Sequence, residues 1–220
     1  MQLQNLLTMN ITMLYNSVME TLKKILEAAE KEFLEHGFAS ASLRRIASAA
    51  GVTTGALYGY FPSKEAVFDS LVKDSYDALM TRYRQAHQDF RKLPFDSQLS
   101  DMGQISSSCI DWCLEYIYSH FDTFRLLICA SEGTRYSLMT DEMVALEEES
   151  TEAFVSLLRE NGMQIPEIDP LLSHMITSGF FSSFFEIVRH NVPHDEAVWY
   201  VSSLQAFNKA GWEKLLRIKL

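Results

Sequence analysis

Residues 42 to 64 read SLRRIASAAGVTTGALYGYFPSK, and their spacing decides how the rest of the chain is read. Leu43, Ile46, Ala47 and Ala50 recur at i, i+3, i+4 and i+7, the inward stripe of a short amphipathic helix with Ser42 as its N-cap. Gly51 ends that helix. After the turn Gly51-Val52-Thr53, Thr53 caps a second helix whose Leu57 and Phe61 point inward. Thr54, Gly55, Ala56, Tyr58, Gly59 and Tyr60 are left for a partner. Two short helices across a glycine-containing turn describe a helix-turn-helix, a motif whose second helix enters the DNA major groove.

Working outward, the run AAGVTTGALYGYFPSKEAVF from Ala49 to Phe68 resembles the signature of the TetR family of transcriptional regulators, with its Leu-Tyr-x-x-Phe core and a lysine three residues on. Ala28, Phe33, Gly37 and the segment from Ser42 to Ala47 match the first two helices of that family. The resemblance covers about Thr21 to Phe68. Upstream, Leu22, Ile25, Leu26, Ala29 and Phe33 keep a 3.6 period and Gly37 follows as a stop. Residues 1–20 read as an N-terminal extension, a disordered tail in preference to a helical arm. Downstream, Ser63 caps a long helix running towards Ala86, which leaves 21–68 as the head and 69–220 as the body.

Beyond Phe90 the segment RKLPFDSQLSDMGQ reads as a loop. Helices follow at about Leu99 to Ser119, Asp122 to Glu132, Asp141 to Glu160, Pro170 to His190 and His194 to Arg217. Asn161-Gly162 stops the third of these. Asp169-Pro170 starts the fourth, aspartate capping free N–H groups while proline takes the first helical position. No alternating strand pattern, repeat or low-complexity tract is present, so the predicted fold is all-α. A three-helix head of helix-turn-helix type precedes a larger helical domain for ligand binding and dimerisation.

The net charge of −10 argues against DNA until its distribution is counted. Thr21 to Glu65 carries six basic residues against five acidic ones, so the acidity lies in the body. Such a head binds DNA by local contacts whose affinity falls with salt. Three cysteines without framework spacing point to a reducing, cytoplasmic setting. No lysine or arginine precedes Lys23, as a secretory n-region requires. The stretch from Met175 to Val188 reads as too short and too polar to span a membrane, which takes about 20 residues.

The resemblance implies roles residue by residue. Arg44 lies where some members carry an arginine that reads guanine, which a guanidinium bonds at O6 and N7. Thr54, Ala56 and Gly59 match base-facing positions, and being small they suit thymine methyls or close backbone approach. Gly55 admits the backbone. Ser42, Thr53, Tyr58, Tyr60 and Lys64 match phosphate-contacting positions, which fix register without reading sequence. Tyr60 is equally readable as core, and Arg45 as the partner of a neighbouring acid.

One head covers few base pairs, so a homodimer on palindromic double-stranded DNA is expected. The resemblance places dimer contacts on the last two helices. Phe180, Phe181, Phe184, Phe185, Trp199 and Phe207 exceed what one inward face needs there, although burial within a monomer is the alternative. Family members hold a small-molecule effector in the body. Trp112, Tyr116, Phe121, Phe124, Met139 and Met143 suit an adaptable apolar cavity or ordinary core.

Cys109 and Cys113 share a helical face without further ligands at metal spacing, and Pro193 interrupts the pair His190 and His194. No phosphate-cradling loop or nucleophile elbow is visible, so neither cofactor, metal nor enzyme activity is expected. The reading is a regulator, probed first as a repressor released by a small molecule. An activator answering to a protein partner, or a helical enzyme or carrier with a vestigial head, stays open.

Overall fold

A computed structural model describes the backbone of residues 2–219 and the side chains of 15–219. Helices α1 (Gln2–Ser40), α2 (Leu43–Ala49), α3 (Thr54–Tyr60), α4 (Lys64–Arg91), α5 (Phe95–Ser119) and α6 (Phe121–Cys129) come first. A 3-10 turn (Arg135–Leu138) leads to α7 (Met139–Glu160), α8 (Pro170–Arg189) and α9 (His194–Leu216). No strand occurs among the described residues, and the fold is all-α.

The terminations follow from local chemistry. At Gly37 the backbone of α1 breaks with φ 70° and ψ 161°, values open to glycine, so the periodic helix stops where the sequence says it should. Gly51 sits at φ +70° after α2. There Val52 N–H donates to Ala47 O at 2.9 Å and Gly51 N–H to Ser48 O at 3.2 Å, the paired bonds of a Schellman stop. Nothing lies within 4 Å of where a Cβ on Gly51 would stand, so an alanine there costs only the left-handed backbone, about 1–2 kcal/mol.

Two expectations need correction. In place of a tail, residues 2–20 continue α1, because no glycine or proline interrupts the chain between Gln2 and His36. The expected loop after Phe90 shrinks to a short turn, and α5 starts at Phe95. Pro94 pre-sets that start with φ −55°, and the buried Gln98 amide donates to Leu93 O at 2.9 Å, satisfying the turn.

The chain divides into two compact units, one of Met1–Asp74 with Cys129–Thr134 and one of Ser75–Ile128 with Arg135–Leu220. In the first, Phe33, Phe38 and Phe68 meet pairwise with ring centroids 5.0 to 5.9 Å apart. Ile25, Ala29, Ile46, Leu57, Val67 and Val72 of the same unit are fully buried as well. Each fully buried phenylalanine or isoleucine is worth about 1.5–3 kcal/mol, and together they hold two short helices that would not persist alone. The loop Cys129–Thr134 belongs to this unit through Phe38 N–H, which donates to Ala130 O at 2.8 Å.

In the second unit Tyr83, Phe124, Tyr136, Phe154, Phe181 and Phe185 are fully buried. Asp169 caps α8 as its sequence predicts, accepting from Leu171 N–H at 2.8 Å. With its 20 residues α8 is longer than the apolar stretch considered above and by length and composition could cross a membrane, a test that the core helix of a folded domain also passes. Phe181, Phe184 and Phe185 use that apolarity inside the unit.

Candidate nucleic-acid interface

The second helix of the motif presents a surface because its ends are fixed. Thr53 Oγ1 accepts from Ala56 N–H at 3.1 Å, capping α3, and Leu57 is fully buried beneath it. That single anchor sets the rotation. Gly55, Ala56, Tyr58 and Gly59 are exposed, Thr54 and Tyr60 are half-buried, and Tyr58 keeps 52% of its surface free. A Cβ on Gly59 would meet nothing within 4 Å, and one on Gly55 only Thr53 Oγ1 at 3.9 Å. Packing within the protein therefore gives no reason for these glycines. Arg44, on α2, is exposed.

A latch that sequence reasoning missed holds α2 against α1. Glu32, 8% exposed, accepts from Ser42 N–H at 2.8 Å and from Arg45 Nε at 2.8 Å. Arg45 also donates to Ser40 O at 2.9 Å. Ser42 is thus held by its backbone, and its side chain makes no capping bond, contrary to expectation. Arg45 pairs with a neighbouring acid as foreseen, while Arg44 beside it stays open. The signal for Glu32 was its place between Ala29 and Phe33 on the apolar stripe.

Burial raises the Glu32 carboxyl, yet the hydrogen bonds from Arg45 and the Ser42 amide, with the charges of Arg45 and His36, bring it below its ordinary 4.5. Its contribution to folding is then complete above about pH 4.5 and is lost as pH falls through the lowered value. On acidification below that point the native protein should lose thermal stability more steeply than Glu32→Gln. Parallel melting curves for the two would dismiss the latch.

Lys64 is engaged within the head. Its ammonium donates to Phe38 O at 2.6 Å, Ala39 O at 3.1 Å and Ala41 O at 3.3 Å, and lies 4.6 Å from the centre of the Phe38 ring. An ammonium has three donors, and here all three are taken. In the free chain it braces the end of α1.

The body departs further from its sequence reading. Phe181, Phe184 and Phe185, expected at a dimer contact, are at most 1% exposed because α8 turns them into the unit, where Phe181 meets Tyr83 edge-on at 6.0 Å. Trp199 at 66% and Phe207 at 80% exposure stand outward on α9, joined on α8 by Leu171 and Met175. The latter pair was not singled out, since a 3.6 period marks faces without saying which one is covered.

The six residues expected around a ligand line none of four cavities in the second unit. Phe124, Met139 and Met143 are core, and Trp112 stacks on Tyr116 at 5.0 Å. Two of these cavities, of about 90 and 50 Å3, lie between α5, α7, α8 and α9 and between α4, α5 and α7, and share Met102, Ser106, Ile110 and Glu147. His190 and His194 go to different acids, Glu186 and Glu115, each at 2.9 Å.

Residues 25–71 match the family profile of bacterial regulatory proteins, tetR family. The HTH-type transcriptional repressor KstR2 of Mycobacterium tuberculosis is 41% identical over 61 residues, 28% of this chain and 30% of that protein. The chain therefore aligns with under a third of that relative's length. Across most of the chain the fold resembles the fatty acid degradation regulator FadR from Bacillus halodurans, with a TM-score of 0.52 at 18% identity over 84% of this chain and 93% of that one. It also resembles SmeT, the repressor of the Stenotrophomonas maltophilia multidrug efflux pump SmeDEF, with a TM-score of 0.51 at 20% identity over 86% of this chain and 88% of that one. Likeness at these identities concerns the fold, whereas the match over the head is one of sequence. The similarity in sequence to the bacterial regulatory proteins of the tetR family thus lies in residues 25–71.

Proposed function

We propose that the protein is a cytoplasmic transcriptional regulator that binds a palindromic operator as a homodimer and represses until a small molecule releases it. The observation that carries the reading is the outward face of α3, where Gly55, Ala56, Tyr58 and Gly59 project around a helix anchored by Leu57 and capped by Thr53. Two glycines with open space beside them suit a partner's backbone or base edges at close range. Thr54 and Ala56 are small enough for thymine methyls. Ser42, Thr53, Tyr58 and Tyr60 serve phosphates and fix register. Exposed apolar groups on α8 and α9 supply the twofold contact, Trp199 and Phe207 foremost.

Selection of bound duplexes from a random DNA pool, followed by titration of the winner at two salt concentrations, tests this. A palindrome bound with steep salt dependence supports it, and failure to enrich any duplex from either the free or the ligand-loaded protein overturns it. Arg44 is the base reader in this scheme. Arg44→Ala should cost about 1–3 kcal/mol on the selected operator and relax preference at one position of each half-site. An unchanged preference would remove Arg44 from that role.

A further inference from the structure

Two cavities of the second unit meet at a carboxylate, Glu147, whose described partners are both on one oxygen. Glu147 Oε2 accepts from Tyr83 O–H at 2.7 Å and stands 3.4 Å from His87 Nε2. Oε1 has no partner among the described residues, although Glu147 borders both cavities. No described cation pairs with it, and with 32% of the side chain exposed, water screens the free oxygen while the cavities are empty. Burial lowers the affinity of His87 for a proton, so the imidazole is neutral at neutral pH. Burial first, and then Glu147 itself, push the Tyr83 hydroxyl well above its usual range, so it remains a neutral donor. Lys209 is the cation on the wall of the larger cavity, and it makes no ion pair with Glu147.

The remaining lining says what the charge is for. Phe154, Phe180, Phe181 and Trp212 line the larger cavity together with Glu147, so one space combines aromatic side chains with an anionic group. Aromatic faces attract cations as well as apolar rings, and a carboxylate is the matching acceptor for an ammonium. At about 90 and 50 Å3 the two spaces together are near the roughly 150 Å3 of a protein cavity that takes up benzene, which sets the ligand at one ring or a short branched chain plus its head group.

We infer that this double cavity is a binding site for a small aromatic or aliphatic amine, its ammonium on Glu147 Oε1 and its apolar body between the aromatic walls. Tyr83 and His87 act as positioning residues that hold the carboxylate with one oxygen turned to the ligand. The inference rests on the small-molecule part of the proposed function, and it assigns to that part a place and a charge.

The test uses the full chain without DNA and three probes of one shape: benzylammonium, benzyl alcohol and benzoate. Calorimetry should find benzylammonium bound saturably and about tenfold or more tighter than benzyl alcohol, with benzoate not bound. Trp212 fluorescence should change with it, and Trp212→Phe should remove that change. Glu147→Gln, which still accepts from Tyr83, should erase the preference for the cation. Should that variant not fold, Ser106→Leu fills the wall common to both cavities and should weaken the amine and the alcohol alike. Equal binding of alcohol and amine by the native protein, or an unaltered amine preference in Glu147→Gln, overturns the site. Operator release is measured separately: amine binding that leaves DNA bound removes the effector role but keeps the site, whereas an operator found with no amine bound overturns this inference and leaves the regulator standing.

Discussion

Trp199→Glu combined with Phe207→Glu should convert the protein from dimer to monomer and cost most of its operator affinity. Both side chains are largely exposed in the single chain, at 66% and 80%, so the substitutions remove little from the core. In a twofold interface each would be a buried aromatic anchor, and loss of such an anchor costs about 2 kcal/mol or more per site. The axis doubles every change, because the same patch occurs on both sides. A charge placed where its own copy stands opposite adds repulsion. The dimer constant should therefore weaken by about a thousandfold or more, given tenfold for each 1.4 kcal/mol. With one head in place of two the operator loses half its contacts, and binding becomes close to non-specific. Light scattering with chromatography reads the mass and circular dichroism confirms the helices. A dimer that survives both charges would move the interface elsewhere.

Lys64→Met should act on stability and leave the salt response alone. The substitution keeps most of the apolar stem but strips three carbonyls, those of Phe38, Ala39 and Ala41, of their common donor. Hydrogen bonds to a charged group contribute about 1.5–3 kcal/mol each and are not additive here, so a loss of about 2–4 kcal/mol is expected for the head. The measurement is a pair of curves: denaturation in urea, and operator affinity against salt under conditions where the variant is folded. If Lys64 neutralised a phosphate, its removal would lower the slope of log affinity against log salt by about one. Removal of a brace leaves that slope unchanged while the urea midpoint falls. A normal midpoint with a reduced slope would return Lys64 to the DNA surface.

These two residues mark where the sequence was legible and where it was not. The head was readable because its signals are local. Gly37 and Gly51 break helices through their own backbone freedom, and Thr53 reaches an amide three residues on. The stripe from Leu43 to Ala50 needs no knowledge of any other part of the chain. The brace made by Lys64 was not legible, because its acceptors lie 23 to 26 residues away, across a fold that periodicity does not describe. The apolar stripe places Glu32 on the inward face, but its partners, Arg45 and the Ser42 amide, come to it only when α2 packs on α1.

For the body, the sequence determined that helices form and approximately where they end, since capping and an apolar period of 3.6 depend on neighbours within one or two turns. Which face of each helix is buried depends on the rotation at which helices pack, a property of pairs distant in sequence. That rotation turned Phe181, Phe184 and Phe185 inward and left Trp199 and Phe207 outside. It also filled the space around Phe124, Met139 and Met143, and opened two cavities beside Glu147. Local propensity fixed the helices and the outward face of α3; only side-chain packing between helices distant in sequence decided where the protein is hollow and where apolar groups stay exposed.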